Sequence, residues 1–327
     1  MGTYPALAFL SCMAQPAAKL KTSRNSLVFS HLRSAWRYAL ERDSSARRHE
    51  VWPDDIFLVS FPKSGNTWIR FLLANLMNPD KPVGFANIES VVPDIAVFPR
   101  GDFRKLARPR LIKSHDCFDP RYRRVIYIIR DPRDVAVSIY HYAKKVKNID
   151  DSFSLEAFVK RMLVAGRSYN GTWGEHAGSW LVNATNIAVF GPNGAWRPHS
   201  DRPAQLRVDA PGARGHGREF LLVRYEDLLQ DAPAGLRRIA EFLGLEASPE
   251  RIERAVERSS ADSMRKLESA QNLEWVTTRE TRKDIPFVRK AKSGQWRTAL
   301  SASSIAEIES AWGHLMRLTG YELASIA

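Results

Sequence analysis

The stretch FLVSFPKSGNTWIRFLL (Phe57–Leu73) runs from an apolar segment through Pro62-Lys63-Ser64-Gly65-Asn66-Thr67 into a second apolar segment. A strand, a compact turn and a helix start in that order aim backbone N–H groups and the positive end of a helix dipole at one point, which makes an anion site. Lys63 adds a full charge. In kinases and GTPases the corresponding loop reads G-x-x-x-x-G-K-[ST], with the lysine after the glycines and the hydroxyl on magnesium. Here Lys63 precedes Gly65, and the turn is short enough to wrap one phosphate. No clear acidic residue stands at a strand end to hold magnesium, because Asp131 reads better as a helix cap. The turn therefore suits a phosphate mono- or diester held without a metal. A plain helix cap with a chance lysine is the competing explanation.

Other chemistry-bearing residues sit where apolar runs end: His115 after PRLIKSH, Arg130 after RVIYIIR and Tyr225 after EFLLVRY. A helix pattern follows the turn. Another, DPRDVAVSIYHYAKKV, begins with Pro132 in its first turn, and DAPAGLRRIAEFLGL stops at Gly244. Continuous rather than alternating apolar strands, separated by helices, imply a parallel sheet covered on both faces. The expected fold is α/β: a single P-loop-NTPase-like domain with a central parallel sheet flanked by helices on both faces. Ligands of such sheets bind beyond the carboxyl ends of the strands, where Lys63, His115, Arg130 and Tyr225 fall.

The 327 residues suffice for one large core. A net charge of +13 points to anionic partners without choosing among nucleotides, nucleic acid, acidic lipid and glycans. Two distant cysteines, Cys12 and Cys117, exclude a disulfide framework and a Cys-based zinc site and agree with a cytoplasmic setting. No run of 18 or more apolar residues occurs, so no membrane span is expected. The apolar opening lacks a basic segment before it, against a cleaved signal peptide, and the sequons at Asn170 and Asn183 read as chance. Residues 1–50 form a basic arm with an amphipathic helix pattern, read as a helix packed on the domain, with peripheral contact to an anionic membrane as the second reading. Residues 51–327 form the domain. Within it, 183–218 holds five Gly and four Pro in 36 residues and reads as an inserted surface loop.

FPKSGNTW resembles the 5′-phosphosulfate loop of the cytosolic-type sulfotransferase family, which moves a sulfuryl group from 3′-phosphoadenosine 5′-phosphosulfate (PAPS) to an acceptor and releases 3′,5′-adenosine bisphosphate (PAP). YIIRDPRDVAVSIYHY (Tyr127–Tyr142) is similar to that family's 3′-phosphate motif. VRYEDLLQDAPAGLRRIAEFLGL, VRKAKSGQWRTAL and YNGTWGEHAGSWL resemble further family blocks, and these segments reach from Phe57 to about Tyr321. The resemblance implies that Lys63 neutralises the leaving phosphate while Ser64, Gly65, Asn66 and Thr67 wrap it. It places the general base at His115, Lys113 at the sulfate oxygens, and Arg130 with Ser138 at the 3′-phosphate, Ser138 counting among the catalytic set as well. Arg289 and Lys290 form a second 3′ clamp. Tyr225 and Trp68 contact adenine, with Ser259 and Met264 in the same pocket. His176 is the runner-up base.

Two departures stand out. Ala291 replaces the glycine that usually follows the clamp, and Ala261 replaces an aromatic residue of the adenine pocket. The resemblance implies a metal-independent enzyme acting on a small-molecule, lipid or glycan acceptor through a hydroxyl or amine. The rival readings are a P-loop nucleotide kinase or NTPase, which requires the Gly-Lys-Ser order, and a basic nucleic-acid binder, which requires a basic stripe interleaved with aromatics. The sequence carries neither pattern, so nucleic acid is not an expected partner. Acceptor identity and oligomeric state have no sequence signal.

Overall fold

Alternate residues of each apolar run belong to opposite faces of one sheet. A computed structural model describes residues 49–164, 171–185 and 218–324; the basic arm, Cys12, the sequon at Asn170 and most of the Gly/Pro-rich insert lie outside them. Four strands, β1 (Ile56–Ser60), β2 (Leu111–Ser114), β3 (Arg124–Ile129) and β4 (Glu219–Arg224), pair in parallel in the order β2-β1-β3-β4. Phe57 and Val59 of β1, Tyr127 and Ile129 of β3 and Phe220 and Leu222 of β4 pack on one face. Ile56 and Leu58, Ile126 and Ile128, and Leu221 and Val223 pack on the other. Both faces being covered, the strands carry no polar alternation.

The first face is covered by α2 (Pro132–Lys145), α3 (Trp173–Thr185) and α7 (Ala302–Leu318), which contribute Val135, Trp180 and Ile308 to its core. The second is covered by α1 (Asn66–Met77), α4 (Ala232–Leu243) and α5 (Pro249–Arg258), through Leu72, Ile239 and Ile252. A further helix, α6 (Ala261–Gln271), follows α5 directly. Local signals explain the boundaries. Asp131 accepts from Arg133 N to cap α2, with Pro132 next, and Gly244 ends α4 at φ 70°.

The chain passes from β2 at one edge across β1 to β3, which makes a topological switch at the carboxyl ends of these strands. All four strand-end residues read from the sequence lie there. β2 would be a bare edge, but Lys113 N donates to Pro93 O (2.8 Å) and Ile95 N to Lys113 O (3.0 Å), so residues 93–95 close it. That bridge carries Asp94 to the site.

Candidate active site

The turn after β1 is tight. Lys63 has φ 65° and Gly65, the residue before α1, has φ 98°. A Cβ on Gly65 would stand 2.3 Å from the Tyr225 ring, so glycine is required by both conformation and contact. No acidic side chain occupies the first turn of α1, and no side chain caps it, leaving its N–H groups for a ligand. Ser64 is fully buried and its Oγ has no hydrogen-bond partner among the described residues. Asn66 turns inward, donating to Leu58 O and Ser60 Oγ (both 3.2 Å), so it braces the turn with its side chain.

Lys63 Nζ lies over the Phe287 ring, 3.8 Å from its centroid, and 4.6 Å from that of Tyr142. Burial, followed by the nearby Arg130 charge, lowers this ammonium to about 7. Arg130 is 7 % exposed and stacks on Tyr225 at 4.3 Å. Its two terminal nitrogens donate to Lys63 O and Lys292 O (3.2 Å each), and its buried Nε has no partner among the described residues. Asp134 of α2 accepts from Gly294 N (2.6 Å) and Trp296 N (3.0 Å), tying the segment after the Arg289–Lys290 clamp to the helix that bears Ser138. Ala291 has φ 49°. Two of the three described non-glycine residues at positive φ, Lys63 and Ala291, thus border one cavity, and such strain gathers where function fixes the backbone.

His115 leaves β2 beside the end of β1. Its Nδ1 donates to Ser60 O at 2.7 Å, which makes Nε2 the basic nitrogen because a carbonyl can only accept. Burial, then Lys113, lowers its imidazolium to about 3, so the ring is neutral. Three bonds from α3 hold this exit: His176 Nε2 to His115 O (3.1 Å), Trp180 Nε1 to Asp116 O (3.0 Å) and Ser179 Oγ from Phe118 N (3.1 Å). His176 is fully buried, and its Nδ1 accepts from Tyr127 Oη at 3.0 Å. With both nitrogens engaged inside the core, His176 braces His115.

Lys113 lines the cavity, whereas Ser259 does not. Lys113 Nζ forms an ion pair with Asp94 Oδ2 and is therefore charge-compensated at the cavity wall. Asp94 is buried, and although burial opposes it, the Lys113 and Arg70 charges hold its carboxyl below the usual range. Ser259 is fully buried behind the site: its Oγ accepts from Asn75 Nδ2 (3.1 Å) and its carbonyl from Trp68 Nε1 (3.0 Å), so it orients Trp68 from behind. Trp68 meets Tyr225 edge-on. Asp94 and Phe287 carried no motif signal, and Asp134 and Tyr142 lie within the Tyr127–Tyr142 block without standing out as site residues.

These groups surround a cavity of about 740 Å³. Its lining combines the α1 N-terminus, Trp68, Arg130, Ser138, Tyr225, Met264, Arg289 and Lys290 with the apolar side chains of Val97, Ile139, Val146, Ile149, Phe158 and Leu163. Residues 53–189 and 213–320 match the sulfotransferase domain family. The chain belongs to that family. The match of this sulfotransferase skips 190–212, within the Gly/Pro-rich insert. Sulfotransferase 1E1 of Bos taurus is 24 % identical over 280 residues, covering 79 % of this chain and 82 % of the relative. The 3-beta-hydroxysteroid sulfotransferase of Cavia porcellus is 26 % identical over 281 residues, covering 83 % and 86 %. Mouse sulfotransferase SULT7A1, solved in complex with PAP, superposes with a TM-score of 0.60 at 21 % identity, covering 83 % of this chain and 88 % of that one. Retinol dehydratase, solved with androsterone and the inactive cofactor PAP, gives 0.61 at 20 % identity and 88 % of each chain. At these identities the structural likeness establishes the α/β fold of the sulfotransferase.

Proposed function

We propose that the protein transfers the sulfuryl group of PAPS to the hydroxyl, or amine, of a small apolar acceptor, with His115 as general base. The observation that carries this reading is one cavity with two chemistries. A helix N-terminus, Lys63, Arg130 and Arg289 share its lining with apolar side chains and with the acid–base group His115. The residues fit a doubly phosphorylated nucleotide: Arg130 lines the cavity and its buried Nε has no hydrogen-bond partner among the described residues, the kind of group a phosphate oxygen satisfies.

Lys63 and the α1 N-terminus would hold the 5′ side, Arg130, Ser138, Arg289 and Lys290 the 3′-phosphate, and Trp68, Tyr225 and Met264 the base. Bound PAPS supplies an activated sulfuryl group. Lys63 gains a proton as anionic charge arrives beside it, and its ammonium stabilises the charge that develops on the leaving side. His115 Nε2 takes the acceptor proton, while the bond from Nδ1 to Ser60 O fixes the tautomer. Lys113 is compensated by Asp94 at the cavity wall, which removes one cation that an acidic glycan would use and favours an uncharged acceptor. The cytoplasmic setting rests on the two separated cysteines alone.

Thermal shift is the first test. PAP should raise Tm more than ATP–magnesium or a DNA oligomer at equal concentration; stabilisation by ATP–magnesium alone would favour the kinase reading and overturn this one. In a labelled-PAPS assay, neutral phenols, sterols and alkyl alcohols should be sulfated in preference to acidic glycans.

The Ala291 backbone offers a separate prediction. A left-handed non-glycine residue costs about 1–2 kcal/mol, and its methyl group limits close approach to a ligand. Ala291→Gly should therefore bind PAP about two- to fivefold more tightly by calorimetry, with Tm unchanged or higher because relief of strain offsets the added freedom of the unfolded chain.

A further inference from the structure

The α6 helix touches three parts of the site at once. Ala261, Met264, Arg265 and Glu268 follow one another at helical spacing, and Ala261 and Met264 line the cavity. One turn on, the buried Glu268 carboxylate accepts from Phe287 N (2.6 Å) and Val288 N (2.8 Å). Arg265 donates from Nε and Nη2 to Arg289 O (3.3 and 3.1 Å). Three consecutive residues are thus fixed to one helix. The first, Phe287, lies on Lys63, and the third, Arg289, opens the basic clamp. From the opposite side Lys145, two turns beyond Ser138 on α2, donates to Arg282 O (2.9 Å) and Ile285 O (2.6 Å) and lies 3.8 Å from Glu268 Oε1. Lys145 is 2 % exposed.

Such an anchor has work to do. Arg289 and Arg130 border the same cavity, close enough that the Arg130 charge, after burial, lowers the Arg289 guanidinium. Two like charges brought together without an anion repel, and an unanchored segment would swing outward. Ordering it again would then weaken binding of the ligand that draws it in. Backbone bonds to a buried carboxylate resist that motion and are among the stronger hydrogen bonds.

We propose that Glu268, supported by Arg265 and Lys145, is a positioning residue that sets the preference for a 3′-phosphorylated nucleotide by holding Phe287–Lys290 in register against the Arg130–Ser138 side of the cavity. The inference rests on the PAPS reading above. It differs from a general packing role because it predicts a loss confined to the 3′-phosphate.

The test is calorimetric binding of PAP and of adenosine 5′-monophosphate, at one pH and salt concentration, to the wild-type protein, Glu268→Gln and Arg265→Met. The wild-type protein should prefer PAP by about tenfold or more, one added charge-assisted contact being enough. Glu268→Gln should reduce that ratio by about fivefold or more while monophosphate affinity stays within about twofold. Arg265→Met removes only the bonds to Arg289 O and the ion pair to Asp262 from a side chain that is 39 % exposed; it should fold even where Glu268→Gln does not, and reduce the ratio about threefold. A parallel loss of both ligands, or a ratio unchanged in Arg265→Met, overturns the positioning role while leaving the PAPS reading intact. Absence of any PAP preference in the wild-type protein overturns both.

Discussion

His115→Ala should lower sulfate transfer by about 10²–10⁴-fold, the usual contribution of a positioned general base, while PAP binding stays within about twofold. The separation follows from geometry. His115 Nδ1 is bonded to Ser60 O at the end of β1, whereas the polar groups that fit the phosphates belong to the α1 turn, Arg130 and the clamp. The pH profile provides a second reading. With its imidazolium lowered to about 3 by burial and then Lys113, His115 in the free protein is unprotonated throughout the neutral range, so kcat/KM for the donor should show no acid limb near 6.5. Anionic charge in the same cavity favours the protonated ring. The acid limb of kcat, which reports the complex, should therefore lie at higher pH than that of kcat/KM. An acid limb at the same pH in both profiles, or transfer retained in His115→Ala, would remove His115 from the role. His176 does not inherit it: both of its nitrogens are bonded inside the core, and His176→Phe should lose activity mainly through displacement of the His115 backbone.

The second large effect belongs to Lys63. Lys63→Met should lower turnover by about 10²–10³-fold, as loss of one preorganised group at a developing charge does, and should raise Tm at neutral pH. A methionine between Phe287 and Tyr142 keeps the packing and removes a cation that burial disfavours. The linkage has a definite sign. Free Lys63 titrates at about 7, and bound anions raise that value, so between the two values the complex holds one proton more than the free protein. PAP binding at pH 8 should take up a proton, seen as a calorimetric enthalpy that depends on the buffer's ionisation heat. Affinity should fall as pH rises above about 7, by at most about tenfold per unit. Lys63→Met should abolish both effects, since nucleotide phosphates have completed their own titration by then (second pKa about 6). Proton uptake that persists in the variant would assign it to another group.

Much of the frame can be read along the chain because its signals are local. The unbroken apolar runs announce strands buried on both faces, and every second residue of Ile56–Val59 does belong to the opposite core. Asp131-Pro132 opens α2 and Gly244 closes α4 through capping chemistry confined to a few neighbours. The lysine before Gly65 likewise announces a tight turn ahead of a helix, and the fold places Lys63, His115, Arg130 and Tyr225 at one end of the sheet as the strand ends require.

What the tertiary structure alone decided are the partners of these groups. Ser60 O fixes the tautomer of His115 across 55 residues, Asp94 compensates Lys113 because residues 93–95 bridge the edge of β2, and Ser259 stands behind Trp68 rather than beside it. Phe287 meets Lys63 on a segment whose backbone is bonded by Glu268 at Phe287 N and by Lys145 at Ile285 O. Periodicity and capping report which face of an element is buried and where it ends. A side chain that bonds a carbonyl or carboxylate brought near only by strand order leaves no periodic trace, so the sequence determined the lysine-bearing turn and the sheet behind it, and the packed fold determined which charges meet there.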